Sequence, residues 1–275
     1  MRAYSHWLLA LLIALITPMS PAAAADDSLQ RVIAAKVLKV GVAPNAPWVI
    51  KKPDGGFAGH DIDLVEAFAE DLGVKAQFVE MPFADLVPRL ARGEVDMIAA
   101  GIAITPERAR SVAFSTPTGM QEIATVADRK ALGTDPAAAL EKPSFRIAVL
   151  AKSTDEAAAR NAYPKASVVS YPTAAAALAA LVDGEAQAMV ATSPVPRMAA
   201  SLYDAKLRLI GGPLERTGEA FAFRPDDMRL LTYANNWIAA RQIDGFIGNV
   251  GTHWFDGHKW LRTAEGDLKP QRAAR

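Results

Sequence analysis

The sequence predicts an α/β protein made of two three-layer lobes. Short apolar strands alternate with helical segments, which is typical of a parallel sheet covered by helices on both faces. The pattern also occurs twice: a helix that ends at Gly93-Glu94 leads into a strand, and a second helix that ends at Gly184-Glu185 leads into another. A repeat of this length indicates two similar lobes, each with its own parallel sheet.

The N-terminal segment predicts a secretory signal peptide. Arg2 precedes an apolar run over residues 7–16, and small residues lead up to Ala25. The apolar run is too short to span a bilayer comfortably. We expect cleavage after Ala25, so that residues 1–25 are the signal peptide and residues 26–275 form the lobes.

Composition narrows the function classes. The 275 residues hold 30 basic and 30 acidic side chains, so no nucleic acid is expected as a partner. There is no cysteine, which excludes disulfides, thiolate metal sites, a cysteine nucleophile and a lipid-modified cysteine. His253 and His258 stand off the i,i+4 spacing of helical metal pairs, so neither a metal nor a cofactor is expected. The expectation is a monomer that diffuses freely in the periplasm.

Apolar spacing and turn residues define the elements of the first half. Residues 36–42 form a strand, and residues 62–72 carry one apolar face behind Asp61, which is expected to cap that helix. Next come a strand over 74–80, a helix over 83–92 with Pro88 within its first turn and a half, and a strand over 95–100.

The second half repeats this alternation. Strands are expected over 145–150, 167–171 and 186–191, and helices over 153–161 and 173–182. Ser153 and Thr154 open the first of these helices, and Gly184 closes the second. The tail adds a strand over 219–223 and two helices over 228–241 and 245–254.

The junction after the strand over 95–100 is the first candidate site. Thr105 precedes Pro106 in a Thr-Pro-Glu-Arg run, which is typical of a helix N-terminus. Such an end presents free backbone N–H groups and a positive dipole to an anion. Arg108 lies in the same turn, and its guanidinium can hold a carboxylate through two parallel hydrogen bonds. The sequence therefore predicts a site for a small carboxylate; the alternative is a capped helix with a solvated arginine.

Four pairs of short motifs extend this signal along the chain. They are LKVGV at 38–42 with PW at 47–48, GHDIDL at 59–64 with LGV at 72–74, FADL at 83–86 with GEVD at 93–96, and ITPER at 104–108 with FSTP at 114–117. In this order and spacing they resemble the bacterial extracellular solute-binding proteins of family 3, the polar amino-acid family that feeds ABC importers. The resemblance covers about residues 37–260.

The resemblance implies a type II periplasmic binding fold, with two α/β lobes joined by two crossing strands near 122–126 and 220–224. Lobe 1 would combine residues 26–122 with 222–275, and lobe 2 would span 123–221. The ligand would lie between the lobes. The protein would capture a small carboxylate-bearing ligand, an amino acid or amino-acid-like compound, by hinge closure and deliver it to the permease of an ABC importer.

The same resemblance implies individual ligand contacts in lobe 1. Arg108 matches the arginine that grips the ligand's α-carboxylate, Thr105 the hydroxyl beside it, and Gly101 a position that offers its backbone to the ligand. Phe83 matches an aromatic residue that covers the ligand side chain, and Trp48 neighbours the other aromatic wall. For Phe83 the alternative is a core aromatic residue.

In lobe 2, Ser153 and Thr154 match the hydroxyl and N–H donors at the start of a helix; the alternative is an ordinary helix cap. Three positions depart from the family pattern. Ala103 replaces a hydroxyl residue, His60 replaces an aromatic residue, and Thr192 replaces the acid that pairs with the ligand's α-ammonium. By their positions, Ala103 and Thr192 are still expected to contact the ligand.

The departure at Thr192 bears on the class of ligand. An ammonium buried without a carboxylate would be several kcal/mol worse off. Either the ligand lacks a free α-amine, so that simple carboxylates bind better than the standard amino acids, or another acid, such as Asp155 or Glu122, takes the role.

An enzyme on the same scaffold is the main alternative. The segment from His253 to Trp260 also resembles the cyclohexadienyl dehydratases, which need a general acid in the cleft. The stretch 191–197, which aligns with their acids, holds none, although Glu122 or Asp155 could substitute. The lack of a Gly-x-Ser-x-Gly or His-Glu-x-x-His motif disfavours a hydrolase. A third possibility is a periplasmic accessory binding protein with no role in transport.

Overall fold

The computed structural model describes residues 27–256. The predicted signal peptide, residues 1–25, and His258 lie outside this part of the chain. No helix within residues 27–256 combines the length and the apolar character needed to cross a membrane.

Helices and strands alternate through the described residues. The strands are β1 (Val37–Val42), β2 (Ile50–Lys51), β3 (Phe57–Ala58), β4 (Lys75–Glu80), β5 (Met97–Ile98), β6 (Ala113–Phe114), β7 (Gly119–Asp128), β8 (Arg146–Leu150), β9 (Ser167–Tyr171), β10 (Ala188–Thr192), β11 (Leu207–Glu219) and β12 (Ala222–Phe223). The helices are α1 (Ser28–Ala35), α2 (His60–Asp71), α3 (Leu86–Ala91), α4 (Arg129–Leu132), α5 (Pro136–Leu140), α6 (Thr154–Ala162), α7 (Ala174–Asp183), α8 (Val195–Leu202), α9 (Met228–Ile243) and α10 (Phe246–Phe255).

Two five-stranded sheets form the centres of the two lobes. Sheet 1 has the order β4-β1-β5-β12-β6, and sheet 2 has the order β11-β7-β10-β8-β9. In sheet 1, β1 is parallel to β4 and β5, but β12 is antiparallel to β5 and β6. In sheet 2, β8 is parallel to β9 and β10, but β7 is antiparallel to β10 and β11. The prediction of two α/β lobes is confirmed, whereas the prediction of wholly parallel sheets is wrong.

The mixed strand directions follow from how the chain changes lobes. It leaves sheet 1 after Phe114 and enters sheet 2 at Gly119, then leaves sheet 2 after Glu219 and returns to sheet 1 at Ala222. β7 and β11 pair antiparallel along most of their length, from Gly119 opposite Glu219 at the crossing. The first crossing therefore starts a few residues earlier than the expected 122–126.

Apolar side chains bury both faces of each sheet. A large cluster joins the N-terminal half to the tail: Phe68 of α2 lies 5.4 Å from Trp237 of α9 and 6.3 Å from Phe221, measured between ring centroids. The indole of Trp237 also donates a hydrogen bond to Asp71 Oδ2 at 2.7 Å. A second cluster packs α6 against sheet 2, with Ile123, Val149 and Val190 fully buried.

Local expectations fail at two places that matter for the site. No α-helix follows Thr105; the chain makes a turn and then a single 3₁₀ helix, Arg108–Arg110. Asp61 does not cap α2, because Gly59 holds the cap position and the Asp61 carboxylate accepts from Gly101 N at 2.7 Å. Pro88, by contrast, does lie in the first turn of α3.

Candidate functional site

The loop after β5 places Arg108 at the edge of sheet 1. Thr105 Oγ1 accepts a hydrogen bond from Arg108 N at 3.1 Å, which is the contact of an N-cap although only a 3₁₀ turn follows. The loop also pairs with the returning crossing strand, since Ile104 N donates to Gly218 O at 2.9 Å and Ala103 bridges to Glu219. A three-residue turn has little dipole to offer an anion, so the charge must come from Arg108 itself.

Two carbonyls and an aromatic ring orient the guanidinium of Arg108. One terminal nitrogen donates to Ala103 O at 2.9 Å, and the other lies 3.4 Å from Lys152 O in the loop between β8 and α6. The guanidinium carbon lies 5.7 Å from the centroid of the Phe83 ring. Burial lowers the pKa of Arg108, but the guanidinium stays charged. Ala103, predicted as a ligand contact, therefore holds Arg108 through its carbonyl.

A cavity of about 200 Å³ adjoins this arginine. Phe83 and Ile102 form part of its apolar wall, and Glu107, Arg108 and Lys152 form part of its polar wall. Lys152 comes from the second lobe, so the cavity lies where the two lobes meet. Phe83 also packs, partly buried, against the core, and its expected contact with a ligand stays a prediction.

The start of α6 is built as a helix cap. Ser153 Oγ donates to Leu150 O at 2.7 Å and accepts from Glu156 N at 3.3 Å. These contacts occupy the Ser153 hydroxyl locally, in agreement with the cap alternative. Thr154, the first helical residue, is half-buried at the same end.

Asp155 is a buried carboxylate one residue further along α6. Its Oδ1 accepts from Thr192 Oγ1 at 2.8 Å, where Thr192 ends β10. Burial raises the pKa of Asp155 to about 6, against the effects of the Thr192 hydrogen bonds and the positive charge of Arg108. A carboxyl of this kind changes its charge near neutral pH.

Glu122 lies in a different environment. Its two carboxylate oxygens pair with Arg197 at 2.5 Å and with Arg216 at 2.8 Å. The hydrogen bond from Arg216 heads the influences that lower the pKa of Glu122. Of the two acids that could replace the one missing at Thr192, Glu122 is thus already paired with two arginines, whereas Asp155 is hydrogen-bonded to Thr192.

Beneath the loop lies a buried polar network that joins Gly101 to the crossing strands. Gly101 donates to Asp61 and accepts from Gln121 Nε2 at 2.8 Å, so both of its backbone groups are taken. Trp48 is 1% exposed and donates its indole N–H to Glu219 Oε2 at 2.5 Å. Packing thus gives both backbone groups of Gly101 internal partners and buries the Trp48 ring, whose centroid lies 5.4 Å from that of Phe255. The ligand contacts expected of Gly101 and Trp48 stay predictions.

Two titratable groups of this network have shifted pKa values. Burial raises the pKa of Glu219 to about 7, and the charge of Asp61 acts in the same direction. For His60, burial opposes the charged form, but the hydrogen bond to Asp61 and the surrounding carboxylates raise its pKa overall. Sequence reasoning missed Glu219 and Gln121. The signal in the sequence was an acid at the head of the apolar run Ala220–Phe223.

Two α/β lobes, two connecting strands and an arginine at the lobe boundary define a protein of the two-lobed solute-binding class. The chain belongs to the bacterial extracellular solute-binding proteins, family 3, whose model matches residues 38–257.

Relatives include both binding proteins and an enzyme. Cyclohexadienyl dehydratase of Pseudomonas aeruginosa is 24% identical over 270 residues, which cover 96% of this chain and 99% of that protein. The L-arginine-binding protein of the same species is 34% identical over 169 residues, or 60% of this chain and 64% of that protein. ABC transporter arginine-binding protein 1 of Escherichia coli is 26% identical over 227 residues, or 81% and 92%.

Solved structures also resemble this chain over most of its length. An ancestral amino acid-binding protein, described as a precursor of cyclohexadienyl dehydratase, superposes with a TM-score of 0.76 at 32% identity, covering 83% of this chain and 99% of that one. A binding component of an ABC transporter from Wolinella succinogenes, complexed with lysine, gives a TM-score of 0.75 at 25% identity, covering 82% and 99%. Transport and enzymatic activity both occur among these relatives.

Proposed function

We propose that this chain is a periplasmic solute-binding protein that captures a small carboxylate-bearing ligand, an amino acid or amino-acid-like compound, and delivers it to the permease of an ABC importer. The observation that carries the proposal is the placement of Arg108. Its guanidinium is fixed on the ring of Phe83 and by Ala103 O, and it borders a cavity that both lobes line. A fixed, permanently charged group at a lobe boundary is suited to hold a carboxylate.

We expect hinge closure because the candidate ligand contacts are divided between the two lobes. Arg108 belongs to the lobe around sheet 1, while Lys152 and Asp155 belong to the lobe around sheet 2. A ligand that touches both gains its full set of contacts only in the closed form, so it shifts the population toward closure. We place the lobe boundaries at residues 26–122 with 222–275 and at 123–221, so that β7 and β11 carry the bending.

Small-angle X-ray scattering tests this proposal once a thermal-shift screen of amino acids and simple carboxylates has identified a ligand. We expect a smaller radius of gyration at saturation. A radius that does not change with saturating ligand would contradict hinge closure, and a screen without any stabilising carboxylate would contradict the proposed function.

A lyase of the dehydratase type is the second candidate, and Asp155 is the observation that favours it. A general acid needs a proton to donate near neutral pH, and the pKa of Asp155, raised by burial to about 6, permits this. Incubation with prephenate or arogenate separates the candidates. Formation of aromatic product that is lost in Asp155→Asn would favour the lyase, and stabilisation without turnover would favour the binding protein.

A further inference from the structure

Lys152 brings a second cation to the cavity beside Arg108. It lies in the loop between β8 and α6, on the lobe opposite Arg108, and it forms part of the cavity wall. Its carbonyl oxygen lies 3.4 Å from a terminal nitrogen of Arg108, so the two lobes touch at this point. Each lobe therefore supplies one positively charged side chain to the cavity.

The backbone of Lys152 has a conformation that favours glycine. Its φ is +58°, and within residues 27–256 Lys36 is the other non-glycine residue with a positive φ. Lys36 ends α1 as a left-handed C-cap, which is an ordinary place for this conformation. Lys152 instead precedes the N-cap of α6, where no helix end requires it. A lysine held in this conformation at the wall of a cavity indicates a role for its side chain.

The ammonium of Lys152 is available to a ligand. In the described part of the chain, no carboxylate lies within ion-pair distance of it. The acid of the same loop and helix start, Glu156, accepts a hydrogen bond from Lys152 N at 2.9 Å and pairs with Arg160 at 2.7 Å. These contacts fix the backbone of Lys152 and occupy Glu156, so that the side chain of Lys152 keeps its charge unpaired.

The other polar residues of the cavity wall do not cancel these two charges. Among the lining residues of the described chain, Glu107 is the one acid, and it is exposed, so that water and salt weaken its effect on a ligand. Ser111 adds a hydroxyl group that can donate to a carboxylate. Two cations against one solvated acid favour a ligand that carries more than one negative charge.

We propose that Lys152 forms a second anion subsite, so that the ligand carries two acidic groups, one held by Arg108 and the other by Lys152. This rests on the proposed function and narrows its ligand to short dicarboxylates and acidic amino acids. Such a ligand bridges the two lobes and favours the closed form, whereas a monocarboxylate held by Arg108 gains nothing from Lys152. A cationic side chain would meet a like charge from each lobe, so arginine and lysine should bind weakly.

Isothermal titration calorimetry with matched ligand pairs tests the subsite. In each pair one carboxylate is replaced by an amide: glutamate and glutamine, aspartate and asparagine, succinate and succinamate. We expect the wild type to bind the diacid of the best pair at least about tenfold more tightly than its amide, and Lys152→Gln to reduce this ratio to less than about threefold. Lys152→Arg should keep most of the ratio, because it keeps the charge. Lys142→Gln, which removes an exposed lysine of the same lobe that does not line the cavity, is the matched control.

The possible outcomes distinguish the subsite from the proposed function. Amides or monocarboxylates that bind the wild type as tightly as diacids do, or arginine that binds more tightly, would refute the subsite and leave the proposed function intact. A ratio that is retained in Lys152→Gln, or lost equally in Lys142→Gln, would refute the role of Lys152. A thermal-shift screen in which no carboxylate stabilises the protein would refute the proposed function and the subsite together. Circular dichroism of each variant shows that it is folded.

Discussion

The two loops that meet at the cleft each follow a strand of a central sheet, but they lead into different kinds of helix. After β5 the chain makes a turn and a three-residue 3₁₀ helix, and its charged residue, Arg108, is held by carbonyls. After β8 the chain enters the nine-residue helix α6, and its charged residue, Asp155, is buried in the first turn. Both loops bring a charge to the lobe boundary, but one is permanent and the other can be switched by pH.

Two opposing physical effects act on the pKa of Asp155. A helix N-terminus stabilises a carboxylate by about 0.3–1 kcal/mol and lowers its pKa. Yet burial raises the pKa of Asp155 from 3.8 to about 6, a shift worth about 3 kcal/mol in the opposite direction. Burial therefore outweighs the favourable helix position.

Removal of the permanent charge should have the largest effect. We expect Arg108→Ala to weaken ligand binding by about 2–5 kcal/mol, or roughly 30-fold to several thousand-fold, because it strands the ligand's carboxylate in a closed cleft. Arg108→Lys should recover only part of this loss, since lysine keeps the charge without the planar fork. Titration calorimetry measures both. Arg110→Ala, on the same turn but exposed, is the matched control. Binding of Arg108→Ala within threefold of wild type would place the carboxylate elsewhere.

The loop that holds Arg108 depends on close packing at Gly101. A Cβ there would lie 2.6 Å from the ring of Trp48, at a φ of +61°. We expect Gly101→Ala to lower the free energy of unfolding by about 2–4 kcal/mol, from overpacking and left-handed backbone strain together. Gly184→Ala isolates left-handed strain, because its φ is +85° and its ψ is 9°, and a Cβ there would meet nothing within 4 Å. Equal losses in the free energy of unfolding for the two variants, measured by urea unfolding, would show that the Trp48 ring moves aside at little cost.

The network beneath the same loop should make stability depend on pH. The pKa of Glu219 is about 7 in the folded protein against an ordinary 4.5, so between these values the folded state binds more protons than the unfolded chain. Stability then falls as pH rises from about 4.5 to 7, by up to about 1.4 kcal/mol per pH unit. His60, whose pKa is also raised, adds loss in the same sense above pH 6.5. Glu219→Gln should flatten this slope in urea unfolding at pH 5, 6, 7 and 8; an unchanged slope would contradict the assignment.

Substitutions at the two capping residues should have the smallest effects on stability, and they should differ in their effect on ligand binding. We expect Thr105→Ala and Ser153→Ala each to cost about 1 kcal/mol of stability. Thr105→Ala should also weaken ligand binding, because Thr105 accepts from the backbone of Arg108. Ser153→Ala should not do so beyond its effect on stability, since its hydroxyl is engaged within the cap. A larger binding loss in Ser153→Ala than in Thr105→Ala would make Ser153 a ligand contact.

Sequence patterns predicted those helices and strands whose ends are marked by local residues, such as helix caps. The strand over 167–171 matches β9, and the helix over 173–182 matches α7 within one residue, because Thr173 caps it and Gly184 takes the left-handed conformation at its end. Helix α1 has no counterpart in the prediction. Its residues pack against β1 and α9, so its stability comes mainly from that contact.

What the sequence determined by itself is the class of fold, the family and the position of Arg108, because apolar periodicity, caps and motif spacing are local properties. Only the tertiary structure decided which polar groups are occupied. Asp61 reaches Gly101 across 40 residues, Thr192 reaches Asp155 across 37, and Glu219 meets Trp48 across 171. Such partners are selected by how the lobes and crossing strands pack, and burial at those contacts raises the pKa values of Asp155 and Glu219 toward neutrality.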